Sequence, residues 1–103
     1  MPTEQLKEAL RLFTKQRDWN QYHTPKNLAM AMSVEMAELV EIFQWKTAKQ
    51  SAELSQTEQD ALADEVADVL IYLTMLADKF DMDPIAEAWR KIEKNRLKYP
   101  ESE

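Results

Sequence analysis

An all-α fold is what this sequence predicts, and three observations predict it. Apolar residues recur at helical spacing in four long stretches. Two of those stretches open on a capping residue next to a proline, Thr24-Pro25 and Asp83-Pro84. No stretch joins strand alternation to turn residues at its ends, and the chain of 103 residues contains no glycine. The primed turns of tight hairpins depend on residues that adopt φ > 0 easily, glycine above all.

The elements follow in order. Leu6, Ala9, Leu10 and Phe13 mark a first helix from about Thr3 to Asp18, with Thr3 as its N-cap. Asp18 to Thr24 reads as a connector carrying Trp19, Tyr22 and the only histidine, His23. Thr24 then caps a second helix running from Pro25 to about Gln44. Trp45 to Leu54 is polar and weakly periodic, which predicts a loop. Ser55-Gln56-Thr57-Glu58 has the spacing of a capping box and opens a third helix reaching about Phe80. Asp81-Met82-Asp83-Pro84 opens a fourth, to about Tyr99, with Pro100 just beyond. The expectation is one four-helix, bundle-like domain over residues 1–103. A chain this short buries a thin core, and association into oligomers is a common remedy.

Composition excludes several functions. Without glycine, phosphate-binding P-loops and dinucleotide fingerprints are unavailable, so any phosphate must be held by side chains and metals. Without cysteine there are no disulfides, thiol nucleophiles or Cys-based zinc sites. A net charge of −6 argues against a nucleic-acid polymer as partner. No apolar run approaches the ~20 residues of a membrane span, and the polar start, Met1-Pro2-Thr3-Glu4, lacks a signal-peptide core. A cytoplasmic protein without a membrane span is expected.

The chemistry is carried by acids. On a wheel of about 100° per residue, Leu28, Met32, Leu39 and Ile42 fall within about 60° of Glu35, and Glu38 lies about 60° to the other side. The third helix repeats this design: Leu62, Val69, Tyr72, Leu76 and Phe80 surround Glu65, with Asp68 at about 60°. Glu35-Met36-Ala37-Glu38 and Glu65-Val66-Ala67-Asp68 echo one another, and antiparallel packing of their helices would bring the pairs together. Inward carboxylates need protons, cationic partners or a metal. Hard cations such as Mg²⁺ prefer carboxylate oxygen and bridge to substrate phosphates, so Glu35, Glu38, Glu65 and Asp68 describe a Mg²⁺ site. The competing reading is a set of ion pairs with Lys or Arg. Glu41 and Asp64 are nearby acids with weaker placement, Glu41 either supporting the site or facing solvent.

With these acids in view, the chain resembles the all-α nucleoside triphosphate pyrophosphohydrolases of the MazG-like superfamily, most closely the dCTP pyrophosphatase branch. The resemblance rests on Arg17-Asp18-Trp19, on His23-x-Pro25-x-Asn27-Leu28, and on Glu35-x-x-Glu38-Leu39-x-Glu41-x-Phe43-Gln44-Trp45. It continues through Glu65-x-x-Asp68-Val69-Leu70-Ile71-Tyr72-Leu73 and Lys91-x-x-x-Asn95-Arg96-x-x-Tyr99-Pro100. It implies a MazG-type fold and cleavage of the α–β phosphoanhydride of dCTP or a modified dCTP, giving monophosphate and pyrophosphate. It implies Mg²⁺ held by Glu35, Glu38, Glu65 and Asp68, and a homotetramer built as a dimer of dimers whose pockets are bordered by neighbouring subunits. Nucleotide-pool cleansing is the role that follows.

Further residues gain roles from the same resemblance. Trp19 and Trp45 are expected to stack on the nucleobase, against plain packing. His23 either hydrogen-bonds the base, sugar or a neighbouring subunit, or is structural. Tyr72 either packs under the deoxyribose or belongs to the core. Lys91 and Asn95, at i and i+4 on one helix face, are expected to grip the phosphates, with Arg96 a weaker candidate beside them. Two other readings stay open: a non-catalytic helical interaction protein, and a pyrophosphohydrolase for another compound such as dUTP or a phosphoribosyl nucleotide.

Overall fold

The computed structural model describes residues 2–101 as five helices: α1 (Pro2–Gln16), α2 (Pro25–Phe43), α3 (Ala48–Ser51), α4 (Gln56–Asp78) and α5 (Pro84–Lys98). No strand occurs among the described residues, and no helix of them is long and apolar enough to cross a membrane. The four long helices lie where apolar periodicity and caps place them. Three local expectations change. Thr3 sits inside the first turn of α1, which already begins at Pro2, so it is no N-cap. The third predicted helix, α4, ends at Asp78 and leaves Phe80 exposed beyond it. The expected loop after Trp45 contains α3, closed by a capping box in which Thr47 and Gln50 exchange side-chain and backbone hydrogen bonds. Four residues complete barely one turn, too few for periodicity to register.

Apart from Thr3, the predicted caps form. The Thr24 hydroxyl accepts from the Asn27 N–H at 3.2 Å. Ser55 and Glu58 close a reciprocal box: Glu58 N–H donates to Ser55 Oγ at 3.2 Å, and Ser55 N–H donates to Glu58 Oε1 at 3.0 Å. Lys46 Nζ meets Glu58 Oε2 at 2.5 Å, tying the end of α2 to the start of α4. These contacts, the Lys46 pair first among them, pull the Glu58 carboxyl down to about 2. Its folded value lies below its ordinary one, so this stabilisation is present above about pH 4.5 and is lost as pH falls towards 2. Ser55→Ala is expected to cost about 1 kcal/mol in urea unfolding at pH 7. Glu58→Gln should flatten the fall in stability across that acid window.

With no glycine available, α1 and α4 both terminate on an aspartate in the left-handed region, Asp18 and Asp81, each at φ 54°. Each ends as a Schellman motif. Asp18 N–H bonds Lys15 O and Trp19 N–H bonds Thr14 O; Asp81 N–H bonds Asp78 O and Met82 N–H bonds Ala77 O. The first turns Trp19 back over α1. The second delivers the Met82 carbonyl to the buried Lys7, whose Nζ donates to it at 2.6 Å. Arg11 adds a two-pronged bond to Asp78, at 2.8 and 2.5 Å, so α1 is fastened across the C-terminal half of α4.

The main packing is α2 on α4. The pair is antiparallel: Lys46, past the end of α2, meets Glu58 at the start of α4, and Glu35 and Glu38 meet Glu65 further in. Leu28 (1% exposed) and Ala77 are the buried apolar residues among those described. Much apolar surface stays open, including Trp89, Ile92 and Leu97 on α5, which barely touches α4. The accessible area is 8206 Å² and the radius of gyration 16.8 Å. A compact monomer of this mass would show about 6,000 Å² and about 13 Å.

Candidate active site

Antiparallel packing of α2 on α4 makes one acidic cluster of two distant sequence motifs. One carboxylate oxygen each from Glu35, Glu38 and Glu65 lies within 4.8 Å of the others. Glu35 and Glu65 are half-buried, Glu38 is exposed, and Oε2 of both half-buried acids is enclosed without a hydrogen-bond partner. Ionised carboxylates only accept hydrogen bonds, so two of them in contact leave orphaned oxygens unless a proton or a cation joins them. The electrostatics express the same conflict. Sharing a proton with Glu35, together with burial and the nearby Glu38, pushes the Glu65 carboxyl up to about 7. At Glu35 that shared hydrogen bond favours the charged form, but burial, Glu38 and the charge of Asp68 outweigh it and hold the group above its ordinary range. The competing expectation of Lys or Arg partners fails, since none of the ion pairs among the described residues involves these acids.

The donor set suits a hard divalent cation: all oxygen, negatively charged, with two enclosed oxygens lacking partners. Asp68 stands outside the tight trio. It lies close enough for its charge to act on Glu35 and lines the same cavity.

That cavity, of about 500 Å³, lies between α1, the connector after it, α2 and α4. Glu35 and Asp68 supply its acidic side, while Trp19, His23 and Tyr72 line other parts of its wall. Trp19 packs edge-on against Phe13, with ring centroids 5.6 Å apart, and against His23 at 6.1 Å. The Schellman turn at Asp18 is what carries the indole there. Phe13 and Thr14 also line the cavity, although the sequence marked Phe13 only as an apolar helix position and gave no sign of Thr14.

Not every expected residue arrives. Trp45 is 89% exposed beyond the end of α2 and lies outside this cavity. Lys91, Asn95 and Arg96 ride on α5 and do not line it either; Arg96 instead approaches Glu93 at 3.6 Å. Glu41 is exposed.

Comparison with known proteins agrees with this architecture. The chain is 42% identical over 90 residues to human dCTP pyrophosphatase 1, covering 85% of this chain and 53% of that protein. It is 40% identical over the same length to the Bos taurus protein of that name. It thus spans about half the length of the curated relatives it matches. A crystal structure of a pyrophosphatase from Archaeoglobus fulgidus superimposes with a TM-score of 0.91 at 45% identity, covering 98% of this chain and 94% of that one. The model of the MazG-like family matches residues 30–103, which include both acid motifs. On that match the chain belongs to the MazG-like family.

Proposed function

We propose that this chain hydrolyses a nucleoside triphosphate between its α and β phosphorus atoms, with Mg²⁺, releasing a monophosphate and pyrophosphate, and that dCTP or a modified dCTP is the substrate. The observation that carries the proposal is the trio of converging carboxylates with two partnerless oxygens, opening on an aromatic-walled cavity. The relatives named for dCTP pyrophosphatase and pyrophosphatase activity support it.

Glu35, Glu38 and Glu65 would hold the cation, with Asp68 beside them on the wall of the same cavity. When bound, a divalent cation neutralises the polyphosphate and polarises the bond under attack. The protein's own groups do the rest. Trp19 offers a face to the base, and Tyr72 packs under the sugar. Glu38, the most open of the trio, is the group we assign to take the proton of the attacking water. Trp45, Lys91, Asn95 and Arg96 do not line the cavity of their own protomer, so we place them at the pocket of a neighbouring copy. The open apolar surface of α5 and the extended protomer favour such an assembly, a tetramer formed as a dimer of dimers.

The test is incubation with dCTP and Mg²⁺, product analysis, and sedimentation of the same sample. Pyrophosphate and dCMP from an oligomeric protein are the expected result. Orthophosphate release would contradict the bond assignment. Absence of turnover across a panel that includes dUTP and phosphoribosyl nucleotides would leave the acids to a non-catalytic interaction protein.

A further inference from the structure

His23 occupies an unusual position. Its ring belongs to the wall of two cavities at once: the large one beside the acids, and a smaller one of about 50 Å³ bounded by Asn20, Thr74, Asp78 and Lys79. Of its two nitrogens, Nδ1 is sealed from solvent and has no hydrogen-bond partner. The ring is half-buried, so the nitrogen left to face the cavities is Nε2.

The proton of a neutral imidazole sits on one nitrogen only, and the other is an acceptor. A buried N–H without an acceptor is among the rarest and costliest features of folded proteins, while an under-used acceptor is better tolerated. The sealed Nδ1 is therefore the bare nitrogen, and the proton sits on Nε2. We infer that His23 is a fixed hydrogen-bond donor at the aromatic end of the large cavity, selecting ligands that present a carbonyl lone pair there, such as the 2-carbonyl of a pyrimidine base. This rests on the pyrophosphohydrolase reading and specifies how its base is recognised.

Three further observations agree. Burial, with the Lys79 ammonium adding to it, holds the His23 ring below its usual range, so it is neutral near pH 7. The other charged groups around it are Lys7, Arg11 and Asp78 in the small cavity and Glu35 and Asp68 across the large one; Arg11 and Asp78 are spent on each other. A neutral donor is a poor phosphate ligand, so the polyphosphate belongs with the acids and their cation, and the base with His23 and Trp19. Trp19 also packs edge-on to the imidazole, so a base stacked on the indole would lie near the donor.

The chain has a single histidine, which makes the ring directly readable. Long-range ¹H–¹⁵N correlation on the metal-free protein at pH 7.5 is expected to show the Nε2–H tautomer. Adding a non-hydrolysable dCTP analogue with Mg²⁺ should move the Nε2 proton downfield. A C-nucleoside analogue with C–H in place of the 2-carbonyl should bind about five- to tenfold more weakly to the wild type. It should lose nothing further against His23→Leu. His23→Gln, which returns an N–H near the Nε2 position, should restore the discrimination. An Nδ1–H or doubly protonated ring would overturn the inference, as would equal discrimination by wild type and His23→Leu. Failure of every nucleotide to bind, with the Nε2–H tautomer present, would instead sink the pyrophosphohydrolase reading and the ligand assignment together.

Discussion

Glu65→Gln is expected to lower the proposed Mg²⁺-dependent hydrolysis about a hundredfold or more and, in the metal-free protein, to raise the melting temperature. The two effects have one origin. Glu65 meets Glu35 and Glu38 within the joint between α2 and α4, and its carboxyl is pushed up to about 7 by them and by burial. A folded value above the ordinary 4.5 means stabilisation that is fully present below about pH 4.5 and lost as pH rises through 7. Metal-free wild type should therefore become less stable between pH 5 and pH 8, and the glutamine variant should lose much of that slope. Added Mg²⁺ should stabilise the wild type at pH 8 and leave the variant nearly unmoved. Loss of one charged ligand removes several kcal/mol of metal-assisted stabilisation, about a hundredfold or more in kcat/KM. Scanning calorimetry with and without chelator, beside steady-state kinetics, reads both. A variant that melts lower and still turns over would show that these acids serve folding, not chemistry.

Leu28→Ala should be the most damaging apolar truncation. Leu28 is 1% exposed and stands on the same stripe as Glu35, two turns earlier on α2. Emptying such a site costs about 2–5 kcal/mol, out of roughly 5–15 kcal/mol for a domain of this size. Urea unfolding should show a lower midpoint with an unchanged slope. Leu97, 87% exposed on α5 of the single protomer, is the probe of the proposed assembly. Within an isolated protomer Leu97→Ala should change stability by under about 0.5 kcal/mol. A loss at Leu97 as large as that at Leu28 would reveal that α5 is buried against another copy.

Much of this was legible in the sequence because its signals are local. Thr24-Pro25 and Ser55 to Glu58 specify helix starts through bonds closed within three residues, and they form as read. The acid pairs were legible because a charge on an apolar stripe is a contradiction that any fold must resolve. What escaped depends on distant geometry. The wheel places Asp68 beside Glu65 but cannot say that three acids converge and the fourth lies outside their group. Trp45 and Trp19 both flank acid helices in sequence, yet only Trp19 is folded back, because a left-handed Asp18 reverses the chain. Lys91 and Asn95 share a helix face, but nothing local tells where α5 points.

The missing glycines reach beyond phosphate loops. Each glycine in an unfolded chain samples conformations closed to other residues, and removing one where the native φ is negative stabilises by about 0.4–1 kcal/mol. An average chain of this length would carry about seven. This one begins folding from a narrower ensemble, worth a few kcal/mol to a protomer with little buried apolar surface. The counter-cost falls on Asp18 and Asp81, whose left-handed backbone opposes their side chains. The rigidity of the unfolded chain is thus part of what lets so thin a core hold three mutually repelling carboxylates in place.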